Sequence, residues 1–147
     1  MISLVTLLLI GPPDTLRLTP GIRPGPLVIL RPTVVLGEPG AVIRGSGRGS
    51  VVEITATAPG TTLRGIRIEH SGKNVDHDDA GVMVRADSVL LEDLQLRDVL
   101  FGIYLRQVRG VSIRRVDIAG SAGTPESRSG NGIHLHSSRD IVIAGSR

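Results

Sequence analysis

Two groups of residues have side chains and spacing that could bind a metal ion. His134 and His136 flank a single leucine, and Met83 holds the position of His134 in an earlier run of similar pattern. Imidazole and thioether groups suit copper in either oxidation state. The second group is the acidic run Asp76, His77, Asp78 and Asp79, whose carboxylates and imidazole could hold a divalent cation. The alternative for this run is a solvated polar turn, because loops are polar by default.

These candidates lie in or beside a repeat of short apolar runs. The segments Gly81–Val84, Gly102–Leu105 and Gly132–Leu135 begin 21 and then 30 positions apart, and nine additional polar residues account for the longer interval. In each unit the apolar residues alternate with polar ones, which predicts strands with one buried face. A helical solenoid would instead place its apolar residues three and four positions apart.

Three short strands in each unit of about 21 residues are typical of a parallel β-helix. We therefore predict an all-β fold, a right-handed single-stranded parallel β-helix of about five coils. Stacked coils should align Val82, Ile103 and Ile133 in one inward column, and Val84, Leu105 and Leu135 in another. The glycine that opens each unit should lie at a bend of unusual φ or where coils approach closely. A weaker inward copy is predicted at Leu27, Ile29, Val34, Leu36 and Ile43.

Composition narrows the classes of function. The chain has 147 residues with a net charge of +3, no cysteine, no tryptophan, and one residue each of phenylalanine and tyrosine. The missing cysteines exclude disulfides and thiolate metal sites. The modest, scattered positive charge and the scarcity of aromatic residues argue against a nucleic-acid partner.

The ends of the chain carry their own expectations. Residues 1–13 form an apolar segment that is too short to span a membrane and is interpreted as a signal remnant or a cap of the fold. Residues 14–147 form the predicted β-helix. Because the sequence stops in the middle of a unit, we expect a C-terminal truncation of a longer solenoid.

The outward side chains of the first strand in each unit form a candidate surface for a ligand or a partner protein. One predicted column contains Glu53, Met83, Tyr104 and His134, and the next contains Thr55, Arg85, Arg106 and His136. Arginine and tyrosine suit sugars or a protein partner, whereas the alternative is that these are ordinary exposed side chains. Two polar insertions, Gly72–Ala80 and Ala122–Gly130, precede the opening glycines on the same side of the solenoid.

The sequence contains no evident catalytic constellation. Asp87, Asp93, Asp98 and Asp117 fall at separate points of the repeat, and no spacing of serine, histidine and aspartate singles out a nucleophile. We therefore expect a protein that binds or scaffolds and is not an enzyme.

Several segments, in order along the chain, resemble the NosD family of β-helix proteins. The matching segments are Asp14–Gly21, Pro26–Pro32, Gly40–Gly45, Leu63–Ile68, Phe101–Leu105 and Gly130–Leu135. The resemblance implies a periplasmic or secreted copper-binding protein that assists nitrous oxide reductase maturation. It also implies ABC transporter subunits and a copper-carrying protein as partners. The alternative is a carbohydrate-binding or polysaccharide-acting β-helix of the pectate-lyase type.

Overall fold

The computed structural model describes residues 13–121 and 130–147. Residues 1–12 of the apolar segment and residues 122–129 of the second insertion lie outside this part, so the expectations for them stay predictions. The described part contains fourteen strands and one 3-10 turn, Val75–His77. The strands are β1 Asp14–Leu18, β2 Gly21–Pro24, β3 Leu27–Ile29, β4 Thr33–Gly37, β5 Ala41–Arg44, β6 Val52–Ile54, β7 Thr62–Arg64, β8 Arg67–Glu69, β9 Ala80–Val84, β10 Leu90–Val99, β11 Phe101–Arg106, β12 Ser112–Gly120, β13 Ile133–His136 and β14 Val142–Ala144.

All the strand pairs are parallel, and they form two sheets. The smaller sheet has the order β3-β6-β9-β11-β13, so each winding of the chain adds one strand to it. In the larger sheet β1, β4 and β7 lead to the first half of β10, while β2, β5 and β8 lead to its second half. This winding confirms the predicted all-β parallel β-helix; its right-handedness stays a prediction. Within the described residues, no helix is long and apolar enough to cross a membrane.

Two coils depart from the pattern of three separate short strands. β10 and β12 each run through a corner without a break, and each therefore covers two faces of the coil. The corner residues Asp93 and Arg115 have φ angles of 52° and 50°, in the left-handed region. In the neighbouring coils the same corner is occupied by Gly65 and Gly145, also at positive φ. A single left-handed residue thus turns the chain while the strand continues on both sides of it.

The interior is a stack of aliphatic side chains in the predicted columns. Ile103 pairs with Val82 and Ile133, and Leu105 occupies the next inward position of β11. Val82, Ile103 and Leu105 are each 0% exposed. Each such burial contributes roughly 1.5–3 kcal/mol, so the columns supply most of the driving force for folding.

The predicted inward positions of β4 are wrong by one residue. Val35 is 0% exposed, whereas Val34 and Leu36 are half-buried. Three consecutive aliphatic residues do not define which of them points inward. The pairing of Val35 with the buried Leu63 on β7 decides it, because one step of register moves every side chain to the opposite face.

Two of the three glycines that open the units, Gly81 and Gly102, lie where neighbouring coils approach closely. A Cβ atom on Gly81 would lie 2.9 Å from the carbonyl oxygen of Gly102. A Cβ atom on Gly102 would overlap the carbonyl oxygen of Gly132 and the side chain of Ile118. Neither Gly81 nor Gly102 has a positive φ. Of the two expectations for these glycines, close approach is therefore confirmed and unusual φ is not.

Candidate functional site

The outward side of β6, β9, β11 and β13, here called the outer face, carries the predicted column of unlike side chains. Met83 pairs with Glu53 on one side and with Tyr104 on the other. Tyr104 in turn pairs with His134, and Arg106 pairs with His136. The register therefore places these side chains next to one another, as the sequence predicted.

The chain's single phenylalanine and single tyrosine meet on this face. The rings of Phe101 and Tyr104 are edge-to-face with centroids 5.2 Å apart. His134 stacks on Tyr104 at 4.6 Å and lies 5.5 Å from Phe101. Sequence reasoning missed Phe101, although the rarity of aromatic residues in the chain was a signal that could have found it. Three mutually contacting rings form the most distinctive side-chain cluster on the outer face.

Burial on this face differs from the expectation of an open surface. Met83 is 3% exposed and Tyr104 is 5% exposed, and both belong to a small apolar cluster with Ala80, Leu100 and Phe101. The outward apolar groups pack against one another, and this burial removes them from solvent. His134 is half-buried and His136 is exposed, so the accessible part of the face is its histidine end.

Polar contacts fix the side chains that border the cluster. The amide Nδ2 of Asn131 donates to Nδ1 of His134 at 2.9 Å. The guanidinium carbon of Arg106 lies 5.4 Å from the centroid of the Tyr104 ring, a cation–π distance. Arg106 also pairs with Asp78 of the first insertion, and its buried Nε has no hydrogen-bond partner among the described residues. Arg85 pairs with Glu53 at 3.2 Å.

The four residues of the acidic run in the first insertion differ in burial and in the groups that they contact. Asp79 is buried, and its Oδ2 accepts a hydrogen bond from the backbone N–H of Asn74 at 3.0 Å. Asp78 turns toward Arg106, while Asp76 and His77 are exposed in the 3-10 turn. Among the described residues, no three histidine, aspartate or glutamate side chains gather as a metal site would require. A cation site in this run stays a prediction, and the described side chains are not already grouped around a common point.

Asp98 is the centre of a polar cluster that the sequence did not reveal. His70 Nδ1 donates to Asp98 Oδ2 at 2.7 Å, the Ser121 hydroxyl donates to Oδ1 at 2.9 Å, and Lys73 Nζ lies 3.3 Å from Oδ1. The hydrogen bond from His70 holds the pKa of Asp98 below its usual value, with help from Ser121 and Lys73 and against the effect of burial. The cluster joins the start of the first insertion to two neighbouring coils, whose residues are far apart in sequence.

The other scattered aspartates also have partners. Asp93 pairs with Arg115 at 2.7 Å, and Asp117 pairs with Arg97 at 2.9 Å. Asp87 Oδ1 accepts a hydrogen bond from the backbone N–H of Arg109 at 2.9 Å. These carboxylates serve the stacking of the coils, and their positions add no catalytic pair to the outer face.

Comparison with known proteins shows a similarity to NosD. A protein from Pseudomonas aeruginosa, described as "Probable ABC transporter binding protein NosD", is 34% identical over 125 residues, covering 84% of this chain. A protein of the same description from Stutzerimonas stutzeri is 31% identical over 133 residues, covering 89% of this chain. The chain spans 29% of the length of each of these relatives. No family model and no solved structure matches the chain.

Proposed function

We propose that this NosD-like β-helix belongs to a non-enzymatic periplasmic factor that assists copper-site assembly of nitrous oxide reductase together with an ABC transporter. The similarity to two proteins described as ABC transporter binding proteins supports the transporter partnership. The observation that carries the copper role is the outer face, where both aromatic residues of the chain pack beside His134.

The histidine end of the outer face is the proposed copper site. His134 and His136 are two positions apart on β13, so both side chains lie on the outward face of the strand, with Cα atoms about 6.6 Å apart. Met83 lies two strands away, about 9.6 Å, with Tyr104 in between. We therefore assign the two histidines as ligands and place Met83 in the packing beneath them. Imidazole is a ligand for copper in many protein sites.

The adjoining part of the outer face is proposed to receive the copper-carrying partner. Arg106 is of a residue type that is enriched at protein interfaces, and Arg85 extends this polar border beside the buried Tyr104.

A titration tests the copper assignment. Purified protein would be titrated with Cu(I) and with Cu(II), beside the double variant His134→Ala/His136→Ala and the control His77→Ala, which alters the exposed turn of the first insertion. We expect binding by the native chain and by the control, and loss of binding in the double variant. An absence of binding, or binding unchanged in the double variant, would remove copper from this face. Loss in the control alone would move the site to the insertion.

The transporter partnership has a separate test. Genes for an ABC ATPase and a membrane permease beside the gene for this chain would support it. Co-purification of the chain with that permease, expressed together in the same cells, is the expected biochemical result. Failure to co-purify under conditions in which the ATPase and the permease associate would count against the partnership.

A further inference from the structure

The contact between Asn131 and His134 favours one of the two neutral tautomers of the imidazole. Asn131 Nδ2 donates to His134 Nδ1 at 2.9 Å, so Nδ1 acts as the acceptor. In a neutral imidazole one nitrogen accepts and the other bears hydrogen. The other ring nitrogen of His134, Nε2, is therefore an N–H donor, and a protonated ring nitrogen has no lone pair for a metal ion.

The backbone holds Asn131 in place for this contact. Its carbonyl oxygen accepts a hydrogen bond from the backbone N–H of Gly102 at 3.1 Å, so the coil below anchors it. The preceding residue, Gly130, passes so close to β11 that a Cβ atom there would lie 2.6 Å from the carbonyl oxygen of Leu100. Only glycine allows this approach, which brings the amide of Asn131 to the edge of the ring.

The plane of the His134 ring is fixed as well. The ring stacks on Tyr104 with an interplanar angle of 27° and meets Phe101 at 66°. Stacking fixes the plane, and the hydrogen bond with Asn131 selects which edge of the ring faces that amide. His136, two residues along β13, has no such amide partner among the described residues.

We propose that Asn131 is a specificity-determining residue of the outer face. Asn131 holds His134 as an Nε2–H donor, which can bind an oxygen acceptor of the ligand. His136 then remains as the imidazole with a nitrogen available to a metal ion. Copper at Nε2 of His134 would first require the ring proton to move from Nε2 to Nδ1, and copper at Nδ1 would have to displace the amide of Asn131. The face then binds copper more weakly than two ready imidazoles would, which suits a protein that passes its metal to a partner. The copper part of this inference rests on the proposed function, whereas the tautomer does not.

Nuclear magnetic resonance tests the tautomer without any metal. Two-bond proton–nitrogen spectra of ¹⁵N-labelled protein at about pH 8.5, above the range in which histidine ordinarily titrates, distinguish the two neutral forms. We expect the Nε2–H pattern for His134 in the native chain. In Asn131→Asp the carboxylate can only accept, so we expect the Nδ1–H pattern. An Nδ1–H pattern in the native chain, or no change in Asn131→Asp, would overturn the inference.

Copper titration of the same variants tests the consequence. Asn131→Asp is expected to bind copper on the order of 10-fold more tightly than the native chain, which is the scale of effects from groups that orient metal ligands. Gln95→Glu, at an exposed position of β10 in the larger sheet, adds the same charge on another side of the coil and is expected to leave the affinity unchanged.

The combined variant Asn131→Asp/His134→Ala shows whether a gain in copper affinity comes from His134 or from the new carboxylate. We expect it to lose the gain in affinity, because the gain comes from Nε2 of His134. If the gain persists, the new carboxylate itself binds copper and the inference is wrong. If the tautomers are as expected and no variant binds copper, the proposed function fails while the assignment of His134 as a donor stands.

Discussion

The two sides of β11 show how differently one strand serves folding and binding. Ile103 and Leu105 point inward and are 0% exposed, and each meets an aliphatic neighbour in the coil above and below. Tyr104 and Arg106 point outward and meet unlike partners: a methionine, histidines and the carboxylate of Asp78. The inward side repeats one chemistry from coil to coil, whereas the outward side changes its chemistry at every coil.

The inward and outward sides of the strand are therefore expected to tolerate different amino-acid substitutions. An inward position requires an aliphatic side chain of suitable volume, and aliphatic residues of similar size can replace one another there. An outward position near the ring cluster depends on a particular partner, so its replacement affects binding before it affects folding. The following variants test that division, from the largest expected effect to the smallest.

The largest effect is expected from a charge on the inner wall. Ile113 is 0% exposed, so Ile113→Asp would bury an unpaired carboxylate and should abolish folding. Arg114, the next residue, is exposed and pairs with Glu92 across the strands. Arg114→Asp should cost no more than about 1 kcal/mol, the scale of one cross-strand pair. Circular dichroism melting curves measure both, and equal stabilities would contradict the inward and outward assignment.

A smaller loss is expected where the coils approach closely. Gly102→Ala would push a methyl group against the backbone of Gly132 and should destabilise the fold by about 1–3 kcal/mol, as overpacking does. Gly132→Ala is the matched control, because the nearest atom to its Cβ would be the Cδ1 of Ile118 at 4.0 Å. Denaturant unfolding compares the two. An equal cost for both substitutions would show that close approach is not what requires glycine at 102.

The ring cluster should contribute less to the free energy of unfolding than the packing of the coils does. Phe101→Leu keeps an apolar side chain but removes the ring contacts with Tyr104 and His134. We expect a loss of about 0.5–1.5 kcal/mol in unfolding free energy, the usual worth of such contacts. Unfolding of the variant, or copper binding that stays unchanged, would contradict a cluster whose main role is to hold His134.

The smallest effect concerns acid stability. The pKa of Asp98 is lowered chiefly by the hydrogen bond from His70, and that of Asp93 chiefly by Arg115. A lowered folded-state pKa stabilises the protein above the ordinary aspartate value of about 3.9, and this contribution disappears as the pH falls through the lowered pKa. Asp98→Asn should therefore lower the Tm at pH 7 slightly and reduce the further fall of the Tm as the pH drops below about 4. An unchanged acid dependence in Asp98→Asn would contradict the role of this carboxylate.

The fold could be predicted because its driving force repeats. Alternation of aliphatic residues defined the strands, and the spacing of units aligned Ile103 with Val82 and Ile133. The prediction was wrong where the pattern itself was ambiguous, at Val34, Val35 and Leu36, because pairing with the neighbouring strand decides which residue points inward.

The site could be predicted only in part. Alternation placed Met83, Tyr104 and His134 in one column, but it carries no information on how outward side chains pack. The convergence on Asp98 depends on contacts between residues that are more than twenty positions apart, and the cluster that buries Tyr104 includes Met83 of the preceding coil. Those contacts arise from the winding of the chain, so local sequence patterns did not reveal them.

The central claim is that the histidine end of the outer face is where this molecule binds its metal. The most direct test adds Cu(I) stepwise to ¹⁵N-labelled protein and follows the backbone and imidazole signals. We predict that the changes concentrate on β13 and the ring cluster, with His136 responding first. Changes centred on His77 and the first insertion, or no change at any described position, would contradict it.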